Sequence, residues 1–252
     1  MSDELELLKK RFVELYGKAD RGGYFTFTQF LGLAEQSALL EALPRTRPGS
    51  ITLYGGAEGA ERVIARFGVE EEIGYDAPFP IVTVKVEPLA MRFADKLTHR
   101  DFLGALLNLG IERSTLGDIV IRDNVGYVFA EERIAEFITG ELLRVKRTDV
   151  KASVTYDLPE GELYRTERKR IQIQSERIDA VVAKVFSLSR DDGQSLIKRR
   201  LVFVNGKEIE SVSYVPKAGD KVSVRGHGRF IYESFDSMSR KGKLNAVVSV
   251  YV

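Results

Sequence analysis

The sequence predicts an α+β protein built as three small domains, and three observations carry the prediction. The chain has 252 residues, 44% of them apolar, which is enough to bury more than one core. Helical and strand-like segments alternate, and their order changes along the chain. Charge is also divided unevenly: residues 1–75 hold 9 Lys/Arg against 12 Asp/Glu, residues 76–158 hold 11 against 13, and residues 159–252 hold 18 against 12. The net +1 therefore hides two mildly acidic parts and a basic one. Such asymmetry implies that the basic part meets a polyanion while the rest does something else.

The first domain, 1–75, reads as α/β. Leu5, Leu8, Phe12 and Leu15 recur at helical spacing over Glu4 to Tyr16, with Lys9, Lys10 and Arg11 on the other side. After Gly22-Gly23, Thr28 is placed to cap a helix over Gln29 to Leu43 that stops at Pro44. Ile51 to Tyr54 alternates as a strand, Gly55 to Gly59 turns the chain, and Ala60 to Phe67 reads as another helix. The turn could receive a phosphate at a following helix, but it lacks the Gly-Lys-Ser/Thr ending of a nucleotide loop.

The second domain, 76–158, has a more definite order. Ile81 to Val86 is a strand, Thr98 to Leu109 a helix, and Ile119 to Arg122 and Val125 to Ala130 flank an Asp123-Asn124 turn. Glu131 to Val145 then reads as a helix and Lys151 to Tyr156 as a strand. This is the ferredoxin-like βαββαβ unit, which hosts RNA-recognition domains among other functions. Tyr127 and Phe129 share a strand face, but without a basic Gly-aromatic pattern they read as packing residues.

Leu158 to Glu162 looks like a linker, and the charged run Arg165 to Arg170 leads into the third domain, 168–252. Arg177 to Phe186 and Asp191 to Arg199 read as short helices. Leu201 to Val204 and Lys207 to Ile209 flank Asn205-Gly206, a strong hairpin signal, and Lys221 to Arg225, Arg229 to Glu233 and Ala246 to Val252 add strands.

Several function classes are disfavoured. With no cysteine there is neither a disulfide nor a thiolate site, and His99 and His227 alone make a metal centre unexpected. The acidic N-terminus and the lack of a ~20-residue apolar run argue against a signal peptide or membrane span. A soluble, cytoplasmic, monomeric protein without cofactor is expected. His99-Arg100-Asp101 has no glycine-rich loop or Asp-Phe-Gly to make it a kinase triplet; Thr98 capping a helix is the plainer reading.

In the basic third, Arg177-Ile178-Asp179, Ser189-Arg190, Leu196 to Arg200, Val202 to Gly206 and Gly219-Asp220 fall at fixed spacing over about fifty residues. This pattern resembles the S-four domain, a small RNA-binding fold first recognised in the fourth protein of the small ribosomal subunit. Gly193 stands where that family favours Ala, at ~0.5 to 1 kcal/mol in a helix interior. Arg200 stands where it favours Gly, so a left-handed turn there carries mild strain. The candidate RNA-binding set is Arg177, Ser189, Arg190, Lys198, Arg199, Arg200, Asn205 and Lys207, with Arg225 and Arg229 around Gly-His-Gly extending the same surface. Any one of these could instead be a solvated surface charge. Asp179 reads as a helix-start group or an orienter of arginines.

Lys96 to Ile119, with His99, Arg100, Asp101, Gly110, Arg113 and Gly117-Asp118, is similar to the signature of the bacterial YlmH family, which joins an N-terminal, an RNA-recognition-like and an S-four domain. The resemblance covers essentially the whole chain. It implies association with the large ribosomal subunit, rescue of stalled peptidyl-tRNA and, by gene context, a link to cell division. Arg100 and Arg113, and Lys241 and Lys243 in Arg240-Lys241-Gly242-Lys243, are candidates for contact with RNA or a partner protein. A non-enzymatic factor on ribosomal RNA or transfer RNA is thus the leading expectation. The alternatives are an RNA-modifying enzyme of the pseudouridine synthase or methyltransferase type and a scaffold for division proteins. For the enzyme, residues 1–158 offer neither a doubly wound sheet with a cofactor loop nor a larger catalytic sheet.

Overall fold

The computed structural model describes residues 2–159, 163–238 and 244–251. The chain divides into two compact units, Met1–Leu163 and Tyr164–Val252. Among the described residues, no helix is long and apolar enough to cross a membrane.

The first unit opens with α1 (Ser2–Gly22), longer than the apolar stripe alone required because Ala19 continues it into the core beside Phe12 and Leu15. Against it pack α2 (Leu33–Ala42) and a three-stranded sheet of β1 (Thr26–Phe27), β2 (Ile51–Tyr54) and β3 (Ile64–Phe67), in the order β1-β3-β2. Two expectations are corrected here. Residues 60–67 do not form a helix, because Ile64, Ala65 and Phe67 are buried in the central strand of that sheet, paired on both sides. The second helix starts at Leu33 rather than Gln29, with Gly32 at its N-cap. Thr28 caps nothing: its hydroxyl accepts from Ala65 N–H and donates to the Gln29 carbonyl. The short helix α3 (Glu70–Ile73) precedes the next sheet.

That sheet holds β4 (Ile81–Pro88), β5 (Leu116–Arg122), β6 (Val125–Glu131), β7 (Arg144–Val145) and β8 (Thr148–Thr155) in the order β5-β6-β4-β8-β7, all antiparallel. Without β7 this is the ferredoxin-like order, with the first and third strands central. Helices α4 (His99–Asn108) and α5 (Glu132–Glu141) cover one face through Phe102, Leu106, Ala135 and Ile138 on Val84, Val86, Val128 and Ala130. The Asp123-Asn124 turn has positive φ at both residues, 48° and 66°, the type I′ geometry a two-residue hairpin favours. The expected helix over 131–145 ends at Glu141 instead, and Lys146 (φ 57°) turns β7 back onto β8.

The second unit is a six-stranded antiparallel sheet under two helices. Its elements are β9 (Thr166–Ile173), α6 (Ile178–Val185), α7 (Arg190–Lys198), β10 (Val202–Val204), β11 (Lys207–Glu208), β12 (Asp220–Val224), β13 (Gly228–Met238) and β14 (Leu244–Tyr251). The order is β11-β10-β12-β13-β14-β9. The charged run read only as a lead-in is therefore an edge strand, and its exposed Arg168, Lys169 and Arg170 suit an edge that must not pair further. Val202, Val204, Val222, Val224, Phe230 and Val248 meet Ile178, Val181, Val182, Leu196 and Ile197 in one core.

Candidate nucleic-acid interface

Helices α6 and α7 form for local reasons. Ile178, Val181 and Val182 give α6 a buried stripe. At α7, Ser189 caps: its hydroxyl accepts from Asp192 N–H at 3.1 Å, and the Asp192 carboxylate accepts from Ser189 N–H at 3.3 Å. Ser187 (φ 56°) turns the chain between the helices, and Arg200 (φ 58°) ends α7 in the left-handed region, as its place after the helix implied. Gly193 has a reason the sequence did not show. A Cβ there would lie 2.5 Å from the Asp179 carbonyl oxygen and 3.1 Å from the Ala183 Cβ, so the close approach of the two helices needs glycine.

Asp179 organises the surface. Its side chain is fully buried, and its Oδ2 accepts from Gln194 Nε2 at 3.1 Å, from Arg177 Nη2 at 3.2 Å and, more weakly, from Arg190 Nε at 3.5 Å. Its Oδ1 accepts from Ala180 N–H at 3.0 Å. A buried carboxylate is tolerable only with such partners. The arginines themselves remain 36% and 45% exposed, so part of each fork faces outward. Arg190, Gln194 and Lys198 are four residues apart along α7 and share one helix stripe. Exposed Arg199 follows at the helix end.

The rest of the expected set divides. Arg200 pairs with Glu208 at 3.3 Å and Glu210 at 3.5 Å. Asn205 ties its turn to β12: its Nδ2 donates to Asp220 Oδ1 at 2.8 Å, and its Oδ1 accepts from Lys221 N–H at 3.0 Å. Lys207 is exposed on the edge strand β11. Arg225 and Arg229 do not extend the helix-side surface. Val222, Val224 and Phe230 face the helices, and the arginines turn to the opposite sheet face, where Arg225 stacks over Phe203 at 5.6 Å and Arg229 over Tyr251 at 4.5 Å. Sequence reasoning missed Gln194, an uncharged residue between charged ones; its spacing four residues from both Arg190 and Lys198 was the available signal.

In the first unit, Arg100 is exposed on the first turn of α4. The Asp101 carboxylate accepts from both Thr98 N–H (2.8 Å) and Thr98 hydroxyl (2.7 Å), which hold it below the usual carboxylate pKa. Arg113 turns inward: its Nη1 donates to the carbonyls of Leu116 (2.7 Å) and Gly117 (3.0 Å), and burial, followed by the neighbouring Arg62 charge, lowers its pKa to about 10. Arg62 donates to the carbonyls of Leu116 (2.8 Å), Phe30 (3.0 Å) and Arg113 (3.1 Å). The Asp118 carboxylate meanwhile accepts the N–H groups of Glu61 and Arg62. Phe129 is fully buried, and its ring would lie 2.3 Å from a Cβ on Gly56 (φ 94°). The Gly55–Gly59 loop is thus a tight turn packed over the sheet, which closes that part of the face to base stacking. Lys241 and Lys243 lie outside the described residues.

Residues 77–156 match the family described as "Putative RNA-binding domain in YlmH", and residues 176–222 match the S4 domain. A Bacillus subtilis (strain 168) protein, "Ribosome-associated protein quality control protein P2", is 30% identical over 221 residues, spanning 86% of this chain and 83% of its own length. The solved "Cell division protein ylmH from Streptococcus pneumoniae" is 18% identical with a TM-score of 0.46, over 60% of this chain and 91% of that one.

Proposed function

The chain belongs to the YlmH family, and on that basis we propose that it is a non-enzymatic, cytoplasmic factor that docks as a monomer on structured ribosomal RNA or transfer RNA. Its setting is the large ribosomal subunit during rescue of stalled translation. The observation that carries the reading is the Asp179 cluster. A buried carboxylate fixes Arg177 and Arg190 while leaving each half-exposed, and Lys198 and Arg199 continue the charge along α7. Cations held in place at a fixed spacing suit phosphates of a duplex, whose bases are hard to reach and whose shape is regular. The ribosomal setting rests on the name of the Bacillus subtilis relative, which ties that protein to the ribosome and to quality control.

Ultraviolet crosslinking with sequencing, together with sedimentation of the tagged protein, tests the reading. Co-sedimentation with large subunits and crosslinks from α6 and α7 to ribosomal or transfer RNA are expected. A protein that stays at the top of the gradient without such crosslinks contradicts it, and partners retained through ribonuclease and high salt would point to a scaffold instead.

A further inference from the structure

On the stripe of α7 that carries Arg190, Gln194 and Lys198, the middle residue differs from its neighbours in chemistry. Arginine and lysine side chains donate hydrogen bonds and accept none, whereas a glutamine amide does both. Gln194 Nε2 donates to Asp179 Oδ2 at 3.1 Å. A carboxylate accepts only, so this bond fixes which way round the amide lies and leaves Oε1 as its open end. Among the described residues Oε1 accepts from no protein donor, and it is not sealed from solvent. Gln194 itself is half-buried, anchored through the same carboxylate that holds Arg177 and Arg190. The result is one fixed acceptor in a row of cations. One turn of helix, about 6 Å of rise, separates it from Arg190 on one side and from Lys198 on the other. Two further acceptors stand in the first turn of α7, but Asp192 is engaged by the Ser189 cap, and Asp191 lies on the next stripe with Ser195.

We propose that Gln194 Oε1 accepts a hydrogen bond from a ribose 2′-hydroxyl, and that this contact makes the surface of α6 and α7 select RNA over DNA. The inference rests on the proposed docking of duplex RNA at these helices and names what that surface reads. Cations recognise phosphates, which RNA and DNA share. The 2′-hydroxyl is the group that distinguishes the two, and in an A-form duplex it is displayed in the wide, shallow minor groove. A neutral acceptor between two cations takes its proton without repelling the strand, whereas a carboxylate there would meet the phosphates with like charge. The other minor-groove donor is the guanine amino group, so a duplex of A·U pairs alone leaves the hydroxyl as the donor to be tested.

The test measures the affinity of the full chain for an A·U RNA duplex and for the same duplex with 2′-fluorine in place of each hydroxyl, which keeps the A form and removes the donor. The wild type should bind the hydroxyl duplex about two- to tenfold more tightly, the worth of one hydrogen bond. Gln194→Lys still offers Asp179 a donor but has no acceptor, and Gln194→Met keeps the length of the side chain with neither. In both variants the ratio of the two affinities should fall to about one, and taking the ratio cancels what each substitution does to folding or to phosphate contacts. The proposal is overturned if the wild type binds the two duplexes alike, or if either variant keeps the wild-type preference. Equal binding to both duplexes removes this assignment and leaves duplex docking standing, while no binding to either removes the docking reading together with it.

Discussion

Each unit sets an aspartate beside a pair of arginines, and the two arrangements run in opposite directions. Asp118 accepts backbone N–H groups from Glu61 and Arg62, and Arg62 and Arg113 direct most of their named hydrogen bonds to carbonyls. That arrangement clamps the N-terminal segment to the start of β5. Asp179 instead accepts side chains from both helices, Arg177 before α6 and Arg190 and Gln194 in α7, and so holds cations toward solvent. The same residue types make a clamp or a presented surface according to whether the carboxylate binds backbone or guanidinium.

Removing each carboxylate tests the contrast. Asp179→Ala should cost about 2 to 3 kcal/mol, below the range for fully buried pairs because the orphaned arginines can reach water. Chemical denaturation measures it, and duplex affinity should fall in parallel. Asp118→Ala should cost about 1 to 3 kcal/mol through two unsatisfied amides while leaving affinity for double-stranded RNA unchanged; a matching loss of affinity would erase the distinction.

Gly193→Ala asks how closely the two helices must meet for Asp179 to hold its partners. A better helix former gains up to about 1 kcal/mol, but pressing a methyl against the Asp179 carbonyl costs about 1 to 3 kcal/mol. Net destabilisation is expected in thermal unfolding, although alanine is the residue its family favours there.

The two helix caps give the smallest effects. Ser189→Ala should cost roughly 1 kcal/mol, visible as a lower denaturation midpoint. Asp101, whose folded pKa lies below its unfolded value, contributes stability that is present above about pH 4 and lost as pH falls through the folded value. Comparing wild type with Asp101→Asn between pH 6 and pH 3 should therefore show their difference shrinking in acid.

Much of this was legible in the sequence because its signals are local. The spacing of Ile178, Val181 and Val182, the Ser189 cap, the Asp123-Asn124 and Asn205-Gly206 turns and the βαββαβ order all depend on neighbours a few residues away. Strands β3, β7 and β9 were not legible, since their identity comes from pairing; β9 pairs with β14 at the far end of the unit. Asp179 was readable as an orienter of arginines, but the need for glycine at 193 depends on how closely α6 approaches. The inward turn of Arg113 depends on which carbonyls lie near it. Arg225 and Arg229 were misplaced for a simpler reason: the alternation of β12, continued one residue past its end, puts Arg225 on the face away from Val222 and Val224, and that parity was available.

Whether α6 and α7 hold duplex phosphates is decided by the salt dependence of binding. Affinity for a double-stranded RNA should be measured from 50 to 200 mM salt for the wild type and for Arg190→Glu/Lys198→Glu/Arg199→Glu. The triple variant should bind more weakly, with a log–log slope shallower by roughly one unit for each phosphate it no longer neutralises. An unchanged affinity and slope would show that the two helices are not the RNA-binding surface.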